Sequence, residues 1–261
     1  TAPQVWILWE YFGHYLSDSK KYAKALKAFG CALKCPGVSS GSVSYNIALV
    51  CKRQARYSEA LKYAEIALTD RTNDNELKVL INPLRVSLLN RLHQFEKAIA
   101  VAGRAIRQDS LKKNKLSYKE VASLYAERAQ AFWRGKSDGN RALQDAWKAV
   151  RLHTKTDTAI NLIRRIENRS ATNAKYFKLL VEGRWYPFVL EEGNVKKTKR
   201  NALFYQTYWV IADSSEEALW FVKRVQPSQV KNIRTEEFKI MRKSLQGAKG
   251  VVDATGRVFS E

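Results

Sequence analysis

Small and aromatic side chains return along the first two thirds of the chain at spacings of four and three. The sets are Ala25, Phe29 and Ala32; Ala60, Ala64 and Ala67; Ala98, Ala102 and Ala105; and Ala142, Ala146 and Ala149. Residues four and three apart share one helical face, and small side chains there let a second helix approach closely. Tyr22, Tyr57 and Phe95 stand three residues ahead of the first alanine in three sets, and Gly139 holds that place in the fourth. Another amphipathic segment precedes each set, so the pattern predicts four helical hairpins in a stacked array. The stretch "RQDSLKKNKLSYKE" lengthens the helix or loop between the third and fourth units. In "TDTAINLIRRIEN", Ile160, Leu162, Ile163 and Ile166 form an apolar face behind Thr156 or Asp157 as N-cap, which predicts a helix closing the end of the stack.

Near Ala171 the period changes. "YFKLLVEGRWYPFVL" is rich in aromatic and branched residues and reads as a hairpin broken at Gly183, followed by a longer strand in "ALFYQTYWVIA". Ser214 with Glu217 forms a capping box for a helix carrying Ala218, Leu219, Phe221 and Val222. "TEEFKIMRKSLQ" reads as a second helix, and "GVVDATGRVF" as two short strands about an Ala254-Thr255-Gly256 turn. The expected order is three strands, two helices and two strands: a small α+β domain with a mostly antiparallel sheet and its helices on one face. The expected domains are therefore a helical repeat domain over 1–170, of four units plus a capping helix, and an α+β domain over 171–261.

Over about residues 5–168 the chain resembles the tetratricopeptide repeat (TPR) family. The first unit carries Trp9-x2-Phe12-Gly13-x2-Leu16 on its first helix and Tyr22, Ala25, Phe29 and Ala32 on its second. Ile47, Ala48 and Cys51, then Val86 and Leu89, then Ala129 and Trp133 hold equivalent first-helix places in the later units. The resemblance implies a mainly α fold, an α-solenoid whose first helices line a ligand groove. Groove-facing positions then fall on Glu10, His14 and Asp18; on Tyr45, Leu49, Lys52 and Arg53; on Ser87, Asn90 and Arg91; and on Glu127 and Arg134. Tyr45, Lys52, Arg53, Asn90, Arg91 and Arg134 are the partner-binding candidates. A second explanation stands beside this one for Lys52, Arg53, Arg91 and Arg134: near helix C-termini, cations stabilise the macrodipole by about 0.3–1 kcal/mol each. The family's clamp for acidic chaperone tails uses Lys and Asn on the first helix, Asn on the third, and Lys and Arg on the fifth, at places that here hold Glu10, His14, Asn46, Leu80 and Leu84. Only Asn46 fits, so that activity is not expected.

Charge narrows the partners. Against 25 Asp and Glu stand 46 Lys and Arg, a formal net charge of +21, most of it before residue 170. Such a balance favours an acidic protein segment, a nucleic acid or an anionic surface, unless it is only a solvated face. Two basic stretches, "KKNK" at 112–115 and "KKTKR" at 196–200, read as loops. Lys112, Lys113, Lys115, Lys196, Lys197, Lys199 and Arg200 are the candidates for contact with RNA or single strands, with Trp185, Tyr186, Phe204, Tyr205, Tyr208 and Trp209 nearby for stacking.

Catalytic signals are missing from the sequence. It has no Gly-rich phosphate loop, no nucleophile elbow and no His-Glu-x-x-His helix. Cys31, Cys35 and Cys51 lack a Cys-x-x-Cys spacing, and the histidines at 14, 93 and 153 are scattered, so no metal and no cofactor are expected. Buried thiols in a reducing compartment, no signal peptide, no membrane span and a cytoplasmic location are the corresponding expectations. The sequence thus predicts a non-enzymatic scaffold that binds an acidic or extended segment of another protein, with self-association possible. Nucleic-acid binding is the alternative. An enzyme assembled from dispersed residues such as Glu182, Arg184, Tyr205 and Asp213 is the weakest reading.

Overall fold

The computed structural model describes residues 5–70, 75–112, 118–153, 155–169, 174–186, 188–192, 195–199, 202–227, 229–241, 248–255 and 257–259. Two compact units emerge, residues 1–120 with 134–136, and residues 121–133 with 137–261.

The first unit holds α1 (Val5–Asp18), α2 (Tyr22–Leu33), α3 (Ser40–Arg53), α4 (Tyr57–Thr69), α5 (Asn75–Arg91) and α6 (Phe95–Lys112), each packed on the next. The alanine stripe is its core: Ala25, Ala32, Ala60, Ala64, Ala67, Ala98 and Ala102 are fully buried. Ile47, Ala48, Cys51, Val86 and Leu89 are buried opposite them. Gly13 shows why the repeat pattern needs glycine: a Cβ there would stand 2.5–2.7 Å from the ring of Phe29, which is itself buried. Lys20, Lys21, Lys24 and Lys27 lie outside this stripe, exposed on the hairpin.

Each turn between paired helices is built alike. Lys20, Ala55 and His93 stand two residues before α2, α4 and α6 with φ of 58°, 59° and 59°. The next amide in each turn reaches back five residues, Lys21 to the Leu16 carbonyl, Arg56 to Cys51 and Gln94 to Leu89, at 2.8–2.9 Å. This is the six-to-one bond of a Schellman ending, which satisfies carbonyls that the helix leaves unpaired. At the far end of the second hairpin, Asp70 accepts from Ser40 Oγ at 2.6 Å and from the Gly41 amide, so the α4 terminus holds the α3 N-terminus.

The second unit takes most of α7 (Tyr118–Lys136), then α8 (Gly139–Leu152) and α9 (Asp157–Glu167). Ser137, two residues before α8, has φ 50° like its counterparts, but here the next amide, that of Asp138, reaches back six residues to the Phe132 carbonyl at 3.2 Å. Asp138 caps α8, accepting from the Arg141 amide at 2.9 Å. Thr156 is the N-cap of α9. Ile160, Leu162 and Ile163 are buried, and α9 packs on α8 and on the sheet, where the Arg164 guanidinium donates to the Ala248 carbonyl at 2.7 and 3.0 Å.

The sheet contains β1 (Lys175–Trp185), β4 (Ala202–Ala212), β5 (Val230–Met241) and β6 (Gly250–Ala254) in the order β5-β1-β4-β6, all antiparallel, with β7 (Val258–Phe259) also on β4. β2 (Phe188–Glu192) and β3 (Val195–Lys199) form a separate hairpin, and α10 (Ser215–Arg224) lies on the main sheet. Two expectations are corrected. β1 continues through Gly183 as one strand, although its register with β5 shifts there, and a Cβ at Gly183 would stand 2.7 Å from the Phe204 ring. Thr235–Met241 belongs to strand β5 and is not a helix; pairing of Tyr176–Leu180 with Glu237–Met241 overrides its local helical signal. The capping box stands as read, with the Glu217 amide donating to Ser214 Oγ at 3.2 Å and Glu217 accepting from the Asp213 amide at 2.7 Å.

One face of the sheet is covered. Phe177, Leu179, Val181, Phe204, Tyr208 and Val210 are buried there beneath Ala218, Phe221 and Val222 of α10. A polar network crosses this core: the Tyr208 hydroxyl donates to Gln206 and accepts from Gln226, whose carbonyl accepts from Arg257. Burial pushes the Tyr208 phenol up to about 12, against the opposing pull of Arg257.

Candidate functional site

Arg53, Arg91 and Arg134, the arginines among the partner-binding candidates, all fall in the first unit and all stand in the last turn of a first helix. Arg53 Nη1 donates to Ser17 Oγ at 2.7 Å and lies 3.3 Å from Asp18 Oδ1. The Arg91 guanidinium lies 6.0 Å from the centroid of the Tyr57 ring, and Arg134 lies 5.7 Å from that of Phe95. Tyr57 and Phe95 are the opening residues of α4 and α6. Each arginine therefore reaches back onto the preceding hairpin, and for Arg91 and Arg134 the aromatic that opens its second helix receives the cation. Helix-end placement and attachment to a neighbour hold together, since a cation over a ring face gains about 0.5–1 kcal/mol in partly exposed settings.

The other first-helix candidates have varied settings. Glu10 accepts from Ser42 Oγ at 2.7 Å and from Asn46 Nδ2 at 2.6 Å, tying α1 to α3. Tyr45 is half-buried; burial raises its phenol first, and the Glu120 carboxylate adds to this. Lys52 is half-buried and engaged in a contact, His14 packs edge-on against Phe29, and Asn90, expected on the same surface, is 2% exposed. The stripe Leu8, Tyr11, Phe12 and Tyr15 on α1 is exposed at 49–70%.

Of the basic segments, Lys113, Lys115 and Arg200 lie outside the described residues, and Lys112 ends α6. Lys196, Lys197 and Lys199 are corrected from loop to strand: they stand in β3, opposite Glu191, Leu190 and Phe188. Cys51 is buried, which raises its thiol, whereas Cys31 and Cys35 are half-buried, contrary to the expectation of three buried thiols.

Two clusters in the second unit carry no signal in the sequence. Arg128 of α7 meets Asp145 of α8 through two bonds of 2.6 and 2.9 Å, with the carboxylate side chain 6% exposed. Arg224 lies between Trp147 and Trp220, 4.6 Å from each ring, and Arg169 covers Trp220 at 5.0 Å. Glu167 accepts from Arg224 at 2.8 and 3.0 Å. Burial alone would raise the Glu167 carboxyl, but Arg224 and then Arg169 outweigh it and hold it below the ordinary value. Partners so distant along the chain leave no local pattern to read.

On the sheet face away from α10, Glu182 accepts from Tyr205 at 3.0 Å and pairs with Arg234 at 2.9 Å. The hydrogen bond from Arg234 lowers the Glu182 carboxyl, and the bond to Glu182 raises the Tyr205 phenol. Both shifts lead away from the near-neutral values that general acid–base chemistry needs. Asp213 is elsewhere, 2.9 Å from Lys249. Among the described residues no group of His, Cys, Asp and Glu could hold a metal, and no helix is long and apolar enough to cross a membrane.

The helical array, with its repeated turns and alanine stripes, is TPR-like. No protein-family model matches the chain, and no curated protein matches it. Among solved structures it is similar to the MamA RS-1 ArsTM double mutant, at 13% identity over 62% of this chain and 83% of that one, with a TM-score of 0.49. It is also similar to YrrB, a TPR protein with an unusual peptide-binding site, at 20% identity over 59% of this chain and 89% of that one, with a TM-score of 0.34.

Proposed function

We propose that the protein is a non-enzymatic interaction scaffold whose basic array takes an acidic or extended segment of a partner protein. The observation that carries the reading is the common posture of Arg53, Arg91 and Arg134. Each is exposed, yet each is held by a hydroxyl or a ring of the preceding hairpin. A ring beside the guanidinium leaves the N–H groups of Arg91 and Arg134 for a carboxylate, Arg53 keeps those that Ser17 and Asp18 do not take, and a side chain already ordered loses less entropy on binding. Tyr45 and Lys52 complete the candidate surface, while Asn90, expected there too, is buried beneath it. In the same proposal, residues 1–170 act as the gripping domain and 171–261 as a second module. Screening the full chain against short extended peptides of acidic, neutral and basic composition tests this; selective retention of acidic peptides is expected, and indifference to their charge would overturn it.

A second reading, single-stranded nucleic acid, has its own support on the open sheet face. Lys178 stands opposite Lys239 and Arg184 opposite Lys231, with the half-buried Trp209 beside Lys178. Like charges directly across strands are unfavourable unless an anion lies over them. Binding of a labelled single strand that weakens steeply with salt would favour this reading.

A further inference from the structure

Strand β5 is an edge of the main sheet, paired among the described residues to β1 alone. Edge strands are usually blunted, because their free N–H and C=O groups template pairing with another chain. β5 carries such devices towards its start, with register shifts against β1 at Leu180/Val181 and Glu182/Arg184, yet it is 12 residues long and beyond the shifts keeps two large apolar side chains in the open: Phe238 is 58% exposed and Ile240 49%. Their register partners Leu179 and Phe177 are buried on the α10 face, so Phe238 and Ile240 extend the apolar core past the edge of its cover.

Charge identifies what fits this edge. Glu237 and Lys239 flank Phe238 and point to the open face, opposite Leu180 and Lys178. Neither has an ion-pair partner among the described residues, and Lys239 faces a like charge. An antiparallel copy of the same strand, related by a two-fold axis through Phe238, sets Glu237 of each chain against Lys239 of the other. Phe238 meets its own equivalent on the core face. Each Lys178–Lys239 row then ends on a carboxylate. The register shift at Leu180/Val181, beside Glu236, lies outside this triplet and confines the ladder to its centre.

We propose that β5 pairs with β5 of a second copy of this chain, forming an isologous dimer centred on Phe238 with two Glu237–Lys239 pairs. Two single charge reversals test it on the full chain, because Glu237→Lys and Lys239→Glu each place like charges across both pairs while sparing the sheet interior. Light scattering after size exclusion, over about 1–100 μM because dimerisation depends on concentration, should give twice 29.9 kDa for the native chain and the single mass for each variant. Mixing the two variants should restore the double mass, since one chain then brings lysine at both positions to an edge where the other brings glutamate at both. A native chain that stays monomeric throughout overturns the proposal. So do single variants that remain dimeric, or monomeric variants that stay apart when mixed.

Discussion

Replacing Asp145 by Ala removes the counter-ion of a guanidinium whose side chain is 19% exposed, while the carboxylate itself is 6% exposed. Both groups have left water, and their bonds of 2.6 and 2.9 Å form the bidentate arrangement in which an Arg–carboxylate pair is strongest. Stranding one partner of such a pair costs about 3–5 kcal/mol, whereas exchanging both for apolar groups of similar size is near neutral. Asp145→Ala and Arg128→Ala should therefore each destabilise the second unit by about 3–5 kcal/mol, and Arg128→Met with Asp145→Leu by about 1 kcal/mol or less. Urea unfolding followed by circular dichroism measures the totals, and hydrogen exchange of α7 and α8 amides locates the loss. Single losses below about 1 kcal/mol, the range of exposed pairs, would refute the reasoning. So would a double variant whose loss is the sum of the two singles.

Three further outcomes follow from particular residues. Ala55 occupies a left-handed turn position, so Ala55→Gly should raise the urea midpoint, by about 0.5–1 kcal/mol of stability; a lowered midpoint would contradict the turn geometry. Gly183→Ala places a Cβ 2.7–2.8 Å from Phe204 ring carbons, and overpacking of about 1–3 kcal/mol should exceed the gain from removing a strand glycine; adding Phe204→Leu should recover most of that loss. Tyr208→Phe should destabilise by about 1–3 kcal/mol near neutral pH, because Gln206 and Gln226 lose a buried partner. Its pH dependence has a definite sign: above pH 10 the unfolded chain releases this proton while the folded chain holds it to about 12. The Tyr208 contribution thus falls by about 1.4 kcal/mol per pH unit across that window, and the gap between native and variant should close there.

The helical part was legible because its determinants are local. Ala25, Ala60, Ala98 and Ala142 mark the packing stripe directly, and the Ser214–Glu217 cap announces α10 within four residues. What escaped depends on partners far along the chain. The segment from Thr235 looks helical by itself and becomes a strand because β1 supplies its ladder; Gly183 looks like a break and is instead a niche for Phe204. Sequence placed Arg53, Arg91 and Arg134 at equivalent helix ends, but not the Ser17, Tyr57 and Phe95 contacts that hold them. The Trp147–Arg224–Trp220–Arg169 column had no signature, since residues of α8, of α10 and of the segment after α9 meet only in the folded unit.

The scaffold reading is tested most directly by fluorescence anisotropy of a labelled acidic extended peptide, comparing the native chain with Arg53→Glu, Arg91→Glu and Arg134→Glu combined. If each arginine contributes about 1 kcal/mol at its partly exposed position, losing all three weakens binding about 100-fold. Circular dichroism should remain that of the native chain. Undiminished affinity in the triple variant, with the fold intact, would contradict the assignment of these arginines to partner capture.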